Sequence, residues 1–284
     1  MEAVPRLLPL FTHRLGRAAA GAEFGDAVTQ FFSKAGIDLA VEGDLSSADG
    51  SGLIIASDHR HRIEPLLVQG VMHKTGRAAS NVITMPTSFG ARAMQASGER
   101  GRSLVLPVVA SSASKENRAS WRHPRAALQH RVYPNVFGRT KEELRTHNSE
   151  IITMAAQRVG EGGTVTIWPT GTFDEAGTRQ WRGGLGKIVE SLPAEAAGDT
   201  HVALLRPESF SVRKVCAALA LSAVGIKSRP QTINMRVEPL GTVNELFGPL
   251  ASSGEPGAAQ EMSDIVRAQY LQRFGADYDQ NPQV

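Results

Sequence analysis

Short apolar runs alternate with stretches of helical periodicity along most of this chain. Strand-like runs lie at 37–43, 52–56, 104–110, 132–137, 164–168, 201–206 and 233–240. The clearest helical pattern covers 141–160, where Thr140 and Glu143 form a capping box and Gly162-Gly163 ends the helix. Strands separated by helices predict an α/β fold, with a largely parallel mixed sheet flanked by helices.

The N-terminal region predicts short helices over 5–35. Phe24, Val28, Phe31 and Phe32 recur at helical spacing, and Gly36 ends the pattern. We therefore expect an N-terminal helical segment at 1–36 and an α/β domain at 37–284. The apolar stripe of the first segment either covers the domain or contacts lipid.

Composition is that of an ordinary globular chain of 284 residues, with 41% hydrophobic and 21% charged residues. Its single cysteine, Cys216, excludes an internal disulfide framework and fits a reducing compartment. No apolar run approaches the roughly 20 residues that a membrane-spanning helix needs. We expect a cytoplasmic protein whose membrane contact is at most peripheral.

A basic cluster lies between the third and fourth of these strands. The formal net charge is +3, and four arginines surround Trp121, His123 and His130, namely Arg118, Arg122, Arg125 and Arg131. Such a cluster suits phosphate, an acidic carrier protein or anionic lipid, or is a solvated face. No helix-turn-helix spacing, zinc-ligand pattern or ribonucleoprotein signature accompanies it, so no nucleic-acid partner is expected.

His59 and Glu64 lie five positions apart, directly after the 52–56 run. Pro65 suits a first helical turn and disfavours the α region for Glu64, so we expect this carboxylate beside a helix N-terminus. The helix dipole there favours its ionised form. An ionised carboxylate that accepts from one imidazole nitrogen leaves the other free to take a proton, which is the layout of a general base with its orienting acid.

A second polar turn follows the 164–168 run. It contains Thr170, Gly171 and Thr172, whose hydroxyls and backbone N–H groups are suited to line a pocket. Arg139 follows the 132–137 run, which directs a fixed cation toward the same edge of a parallel sheet. In open parallel sheets ligands bind at the carboxyl edge, so these residues and the His59/Glu64 pair are expected together.

These motifs resemble those of the glycerolipid acyltransferases related to 1-acylglycerol-3-phosphate and glycerol-3-phosphate acyltransferases. His59 to Glu64 matches their His-X4-Asp box with glutamate for aspartate, and Gly138-Arg139-Thr140 looks like their second block. The third block, Phe-Pro-Glu-Gly-Thr-Arg, is similar to residues 168–173, and Arg182-Gly183 resembles the Lys-x-Gly that follows it. Residues 203–207 resemble the fourth, apolar-proline block, so the resemblance covers roughly 37–210.

The resemblance implies acyl transfer from a thioester of coenzyme A or acyl carrier protein to an acceptor hydroxyl or amine. His59 would deprotonate the acceptor, Glu64 would orient the imidazole, and Arg139 would hold an acceptor phosphate. Thr170, Gly171, Thr172 and Arg182 would complete the substrate site, with oxyanion donors near Gly171 and Thr172. Neither a metal nor a nucleotide cofactor is implied, the thioester being a co-substrate.

Two departures concern the acceptor. Thr170 stands where the family has glutamate, and Phe173 stands where it has arginine. Loss of a doubly donating cation removes phosphate affinity and adds apolar surface. The acceptor is therefore expected to be a small molecule or lipid, either of the glycerol-3-phosphate type or modified from it. The 80 positions from His59 to Arg139 contain the basic cluster, which we interpret as a specificity insert.

Two other functions compete with this one. A metal-dependent enzyme would use His59, His61 and Glu64, although the spacing is shorter than in double-stranded β-helix metal sites and a third histidine is not evident. A non-catalytic protein would keep the pocket to bind a lipid or a carrier protein.

Overall fold

The computed structural model describes residues 15, 23–58, 63–84, 89–109, 139–171, 180–208 and 210–275. Within these residues seven strands form one sheet. They are β1 (Ile37–Glu42), β2 (Leu53–Ala56), β3 (Asn81–Thr84), β4 (Val105–Pro107), β5 (Thr164–Ile167), β6 (His201–Pro207) and β7 (Gln231–Thr242).

The sheet has the order β1-β7-β6-β2-β5-β3-β4. Strand β2 lies at its centre between β5 and β6, and both neighbours are parallel to it. Strand β7 is antiparallel to β6, and β1 pairs with β7 in parallel at one edge. The predicted α/β fold with a largely parallel mixed sheet is confirmed.

Helices cover both faces of the sheet. They are α1 (Phe24–Lys34), α2 (Glu64–Lys74), α3 (Phe89–Ala96), α4 (Glu99–Ser103), α5 (Lys141–Gly160), α6 (Gly184–Glu190), α7 (Val212–Ala223), α8 (Val243–Phe247) and α9 (Ala258–Phe274). The first face packs against α1, α2, α3 and α7, and the second against α5, α6, α8 and α9. Helices on both faces thus bury β2, all four of whose residues are buried.

Strand β2 divides its side chains between the two faces, because successive residues of a strand point in opposite directions. Leu53 and Ile55 belong to the core of the first face, whereas Ile54 and Ala56 belong to that of the second. A strand buried on both sides has a continuous apolar sequence, which is the pattern that predicted it.

Local end signals place α5 correctly. Glu143 donates its backbone N–H to Thr140 Oγ1 at 3.1 Å, and Thr140 donates its own to Glu143 Oε2 at 2.6 Å, so the predicted capping box is confirmed. The predicted N-terminal helix is also present as α1, and Gly36 follows it with a φ of 74°.

Strand predictions were less accurate at the β3 and β4 side of the sheet. The run at 104–110 forms only the three residues of β4, because Val109 leaves the sheet and exchanges hydrogen bonds with the Asn148 side chain. Strand β3 was not predicted. The strand expected at 132–137 and the basic cluster lie outside the described residues, as does most of the first predicted helix.

None of the helices in the described ranges combines the length and apolar character that crossing a bilayer requires.

Candidate functional site

The carboxyl ends of β2, β5 and β6 meet at the centre of one edge of the sheet, because these three strands are adjacent and parallel. Ser57 continues the pairing one residue beyond β2 by donating its N–H to Ile167 O at 3.2 Å. The segments that leave these strands carry most of the residues predicted to form the site. This edge is where open α/β sheets bind ligands.

Asp58 is the last described residue before the His59 segment. It continues the alternation of β2, so its side chain is directed to the second face, where α9 lies. Its carboxylate is only 1% exposed, and Oδ1 accepts a hydrogen bond from Tyr270 on α9 at 2.5 Å. The chain therefore enters the His59 segment from a buried and hydrogen-bonded residue.

His59 itself lies outside the described residues, together with His61. The described chain resumes at Ile63, which is buried, and at Glu64. Both flanks of the segment are thus fixed by packing.

Glu64 is buried, with 2% of its surface exposed, at the N-terminus of α2. The prediction that Pro65 would keep Glu64 out of the helix was wrong, because α2 begins at Glu64 and Pro65 is its second residue. Leu66 and Leu67 donate to Ile63 O at 2.9 and 3.3 Å, so the hydrogen-bonded turn starts before the proline. The carboxylate nonetheless lies at the positive end of the helix dipole, as expected.

Pro65 is held by a close contact with α3. A Cβ at Gly90 would approach three atoms of the Pro65 ring to 2.8–2.9 Å, a separation that real Cβ atoms do not show. Only glycine lets the two helices approach this closely here. This contact supports the end of α2 that carries Glu64.

The turn after β5 brings three predicted site residues together. Thr170 is buried, and Gly171 adopts a left-handed conformation with a φ of 64°. Arg182 donates its N–H to Pro169 O at 2.8 Å, and its guanidinium carbon lies 3.8 Å from where a Gly171 Cβ would be. The Arg182 side chain is exposed, so a cation borders this turn on the solvent side.

The Gly171 N–H has a partner within the turn. It donates to Trp168 O at 2.9 Å, which closes the turn. The expectation of oxyanion donors near Gly171 and Thr172 stays a prediction. Thr172, the other residue predicted there, lies outside the described residues.

Arg139 lies at the same end of the sheet but on the β4 side. It directly precedes the N-cap of α5, and this helix is tied to the end of β4 through Asn148 and through His147, which contacts Pro107 O at 2.9 Å. Strand β3 lies between β4 and β5, so one strand separates the Arg139 side from the Thr170 turn.

Sequence reasoning missed the contribution of α9. The rings of Trp181 and Phe274 pack against Tyr270, with centroids at 5.4 and 4.8 Å. Arg206, buried at the end of β6, donates from Nη1 to Phe274 O at 2.5 Å. The available signal was the four-residue spacing of Met262, Val266, Tyr270 and Phe274, which is typical of a buried helix face.

Within the described part of the chain, no three histidine, cysteine, aspartate or glutamate side chains are grouped to bind a metal ion. His59 and His61, which the metal alternative requires, are outside that part. That alternative therefore stays a prediction.

No family model matches the chain, and no curated protein sequence matches it. The resemblance carried by the motifs therefore stays a prediction.

Proposed function

We propose that this protein is an acyltransferase, which moves an acyl chain from a thioester of coenzyme A or acyl carrier protein to an acceptor hydroxyl or amine. The observation that carries the proposal is the burial of Glu64 at the positive end of α2. This end of α2 lies at the edge of the sheet where the chain passes from β2 into the segment that contains His59. Glu64 directly follows the His59 segment in the chain, and a carboxylate beside an imidazole can orient it and stabilise its protonated form. A general base needs an acid in this relation.

The remaining residues support a substrate site beside this pair. Thr170 and Arg182 border the turn after β5, the parallel neighbour of β2. Arg139 and the Thr172 hydroxyl are proposed to extend the site, with Arg139 on its far side. An exposed arginine next to a buried threonine suits an anionic group at the entrance and an uncharged group inside.

In the proposed reaction, a nitrogen of His59 takes the proton from the acceptor hydroxyl, and the oxygen attacks the thioester carbonyl carbon. Glu64 orients the imidazole and stabilises its protonated form. The C–S bond breaks as the C–O bond is completed, and the leaving thiolate receives the proton from His59. No covalent acyl-enzyme and no cofactor take part in this sequence.

We further propose that the protein meets its lipid substrates at a membrane surface. Leu221, Val224 and Ile226 are exposed, the last two by 58% and 53%, and Lys227 and Arg229 are exposed beside them. Apolar side chains bordered by basic ones are typical of surfaces that bind anionic lipid. We call these residues the 221–229 surface.

The 221–229 surface is at the same end of the sheet as the candidate site. Ser228 Oγ donates to Ala35 O at 2.5 Å, and Gln231 N donates to Gly36 O at 2.9 Å, so the segment lies beside the start of β1 and β7. Because β7 is antiparallel to β6, these starts lie at the same end of the sheet as the carboxyl ends of β6 and β2, and they extend beyond them, since Pro207 pairs with Met235.

The test is turnover of acyl thioesters by the purified protein. A panel of acyl-coenzyme A and acyl carrier protein donors is offered with glycerol phosphate, monoacylglycerol phosphate, neutral lipid and amine acceptors. Thiol release gives the rate, and mass spectrometry identifies the product. We expect His59→Ala to lower kcat by about 100- to 10,000-fold, the usual contribution of a general base.

A matched control is His73→Ala, at the opposite end of α2. His73 is partly exposed and 3.6 Å from Asp26, so its loss should leave kcat unchanged. Glu64→Gln, which keeps the volume and removes the charge, should lower kcat less than His59→Ala. Equal rates for the wild type and His59→Ala would contradict the proposed function, as would acyl transfer to none of the acceptors.

A further inference from the structure

The hydrogen bond between Tyr270 and Asp58 joins two elements that are remote in sequence. Its residues are 212 positions apart, and both are 1% exposed. Tyr270 lies on α9, and Asp58 is the residue immediately before the proposed general base. We therefore ask what this hydrogen bond, at the start of the His59 segment, contributes beyond the packing of α9.

Packing alone does not require the pair. The Tyr270 ring already fills the space between Trp181 and Phe274, and phenylalanine would make the same ring contacts. Replacing both members of a buried hydrogen bond by apolar groups is often nearly neutral for stability, whereas a buried carboxylate is costly to retain. The hydroxyl and the carboxylate therefore point to a role at the site.

Helix α9 provides a firm base for this hydroxyl. The Arg206 and Arg236 guanidinium groups lie over the Phe274 ring, at 5.6 and 5.4 Å from its centroid. Arg236 also pairs with Glu238 at 2.8 Å. Tyr270 is one helical turn before Phe274, so contacts with β6 and β7 fix where its hydroxyl points.

We propose that Tyr270 is a positioning residue for acyl transfer: it holds Asp58, and through Asp58 it sets the direction in which the chain leaves β2 toward His59. This inference rests on the proposed function. The imidazole has to meet both the acceptor and Glu64. The residue before it is held from the second face by α9, and Glu64 is held on the first face by α2. Small displacements of a catalytic group are known to lower rates by as much as about 100-fold.

The test is Tyr270→Phe in the full chain, assayed with a donor and acceptor pair that the wild type turns over. We expect kcat to fall by about 10- to 100-fold with KM nearly unchanged, because substrate contacts remain while the base is misplaced. Asp58→Asn keeps an acceptor oxygen for Tyr270 and should retain most of kcat. Asp58→Ala should match Tyr270→Phe, and the double variant should be no worse than either single variant.

Val266→Ala is the matched control, one turn earlier on α9. It leaves a small cavity in the same buried face and removes no polar group, so it should lower the unfolding temperature and leave kcat of the folded protein unchanged. An equal loss of kcat in Val266→Ala and Tyr270→Phe would overturn the inference by revealing general loosening of α9.

Two further outcomes separate this inference from the proposed function. If the wild type turns over substrate, His59→Ala does not, and Tyr270→Phe keeps full kcat, only the positioning role is overturned. If the wild type transfers no acyl group in the panel, both are overturned together.

Discussion

The two ends of the central strands β2 and β5 hold buried polar groups in different ways. At the amino end, Arg77 follows α2 and its side chain is 7% exposed; it donates to Ala48 O and Ser51 O at 2.5 and 2.9 Å. These acceptors belong to the loop just before β2. At the carboxyl end, Asp58 is held by a helix 212 positions away.

The difference separates stability from activity. At the amino end, the Arg77 guanidinium donates to backbone carbonyl groups, whose positions are set by the chain. These hydrogen bonds attach the loop before β2 to the segment after α2. The carboxyl end keeps carboxylates, a threonine and an exposed arginine around the segment that carries His59. We therefore expect substitutions at the amino end to change the free energy of unfolding, and those at the carboxyl end to change rates.

The largest expected effect on stability is that of Gly52→Ala at the amino end. A Cβ there would lie 2.3 Å from Val159 O and 3.1 Å from Thr200 Oγ1, so α5 would have to move away from the start of β2. We expect a loss of about 3 kcal/mol in the free energy of unfolding, as for an overpacked core. Guanidinium unfolding measures it, with acyl transfer per folded molecule unchanged.

Gly198→Ala is the control for that substitution, because its Cβ would meet only Asn244 Nδ2 at an ordinary 3.5 Å. If Gly52→Ala and the wild type unfolded at the same guanidinium concentration, the packing at the amino end would adjust at little cost. That result would contradict the contrast drawn between the two ends of the sheet.

A smaller loss is expected from Arg77→Met, which keeps the apolar stem and removes the guanidinium. Burial lowers the pKa of this group, and Asp49 opposes that shift. Without the cation, the carbonyl oxygens of Ala48 and Ser51 lose their donor, so we expect a loss of about 2 kcal/mol in the free energy of unfolding, measured by thermal or chemical unfolding. Arg145→Met removes an exposed arginine paired with Glu142 at 3.2 Å and should cost about 0.5 kcal/mol or less. Equal losses in the two variants would contradict the role assigned to the buried guanidinium.

The smallest effect concerns the 221–229 surface at the carboxyl end. Val224→Ser with Ile226→Ser should weaken binding to vesicles that contain phosphatidylglycerol by about tenfold, since the two apolar side chains together contribute roughly 1.4 kcal/mol. Vesicle co-sedimentation at low and high salt measures this. Met154→Ser, which alters an exposed apolar residue on α5, should leave binding unchanged. If Met154→Ser weakened vesicle binding more than the double variant, the lipid contact would lie on the α5 face and not on the 221–229 surface.

Much of the fold followed from local signals. The α5 capping box and the continuous apolar run of β2 involve residues that are neighbours in the chain, and both were confirmed. Strand β3 has only four residues, too few to show alternation, and it is recognised by its pairing with β4 and β5. Pairing of that kind joins distant segments, which a single sequence does not reveal.

The same distinction between local and long-range signals applies to the candidate site. The position of Glu64 beside a helix N-terminus followed from Pro65, although the first helical residue was placed one position late and the burial of Glu64 was not predicted. Occupation of the Gly171 N–H by Trp168 O depends on the exact turn, and the Tyr270 contact depends on how α9 packs. Neither was accessible from spacing. His59, Thr172 and the catalytic proposal itself stay predictions.

The position of Tyr270 has a consequence for biosynthesis. A nascent chain emerges from the ribosome with β2 and Asp58 long before β5, β6 and α9 have been made. Strand β2 then lacks both neighbouring strands, and the Asp58 carboxylate lacks the Tyr270 hydroxyl. The carboxyl edge of the sheet would thus acquire its active arrangement only after α9 has been synthesised. A prematurely terminated polypeptide would expose an incomplete sheet to chaperones and proteases.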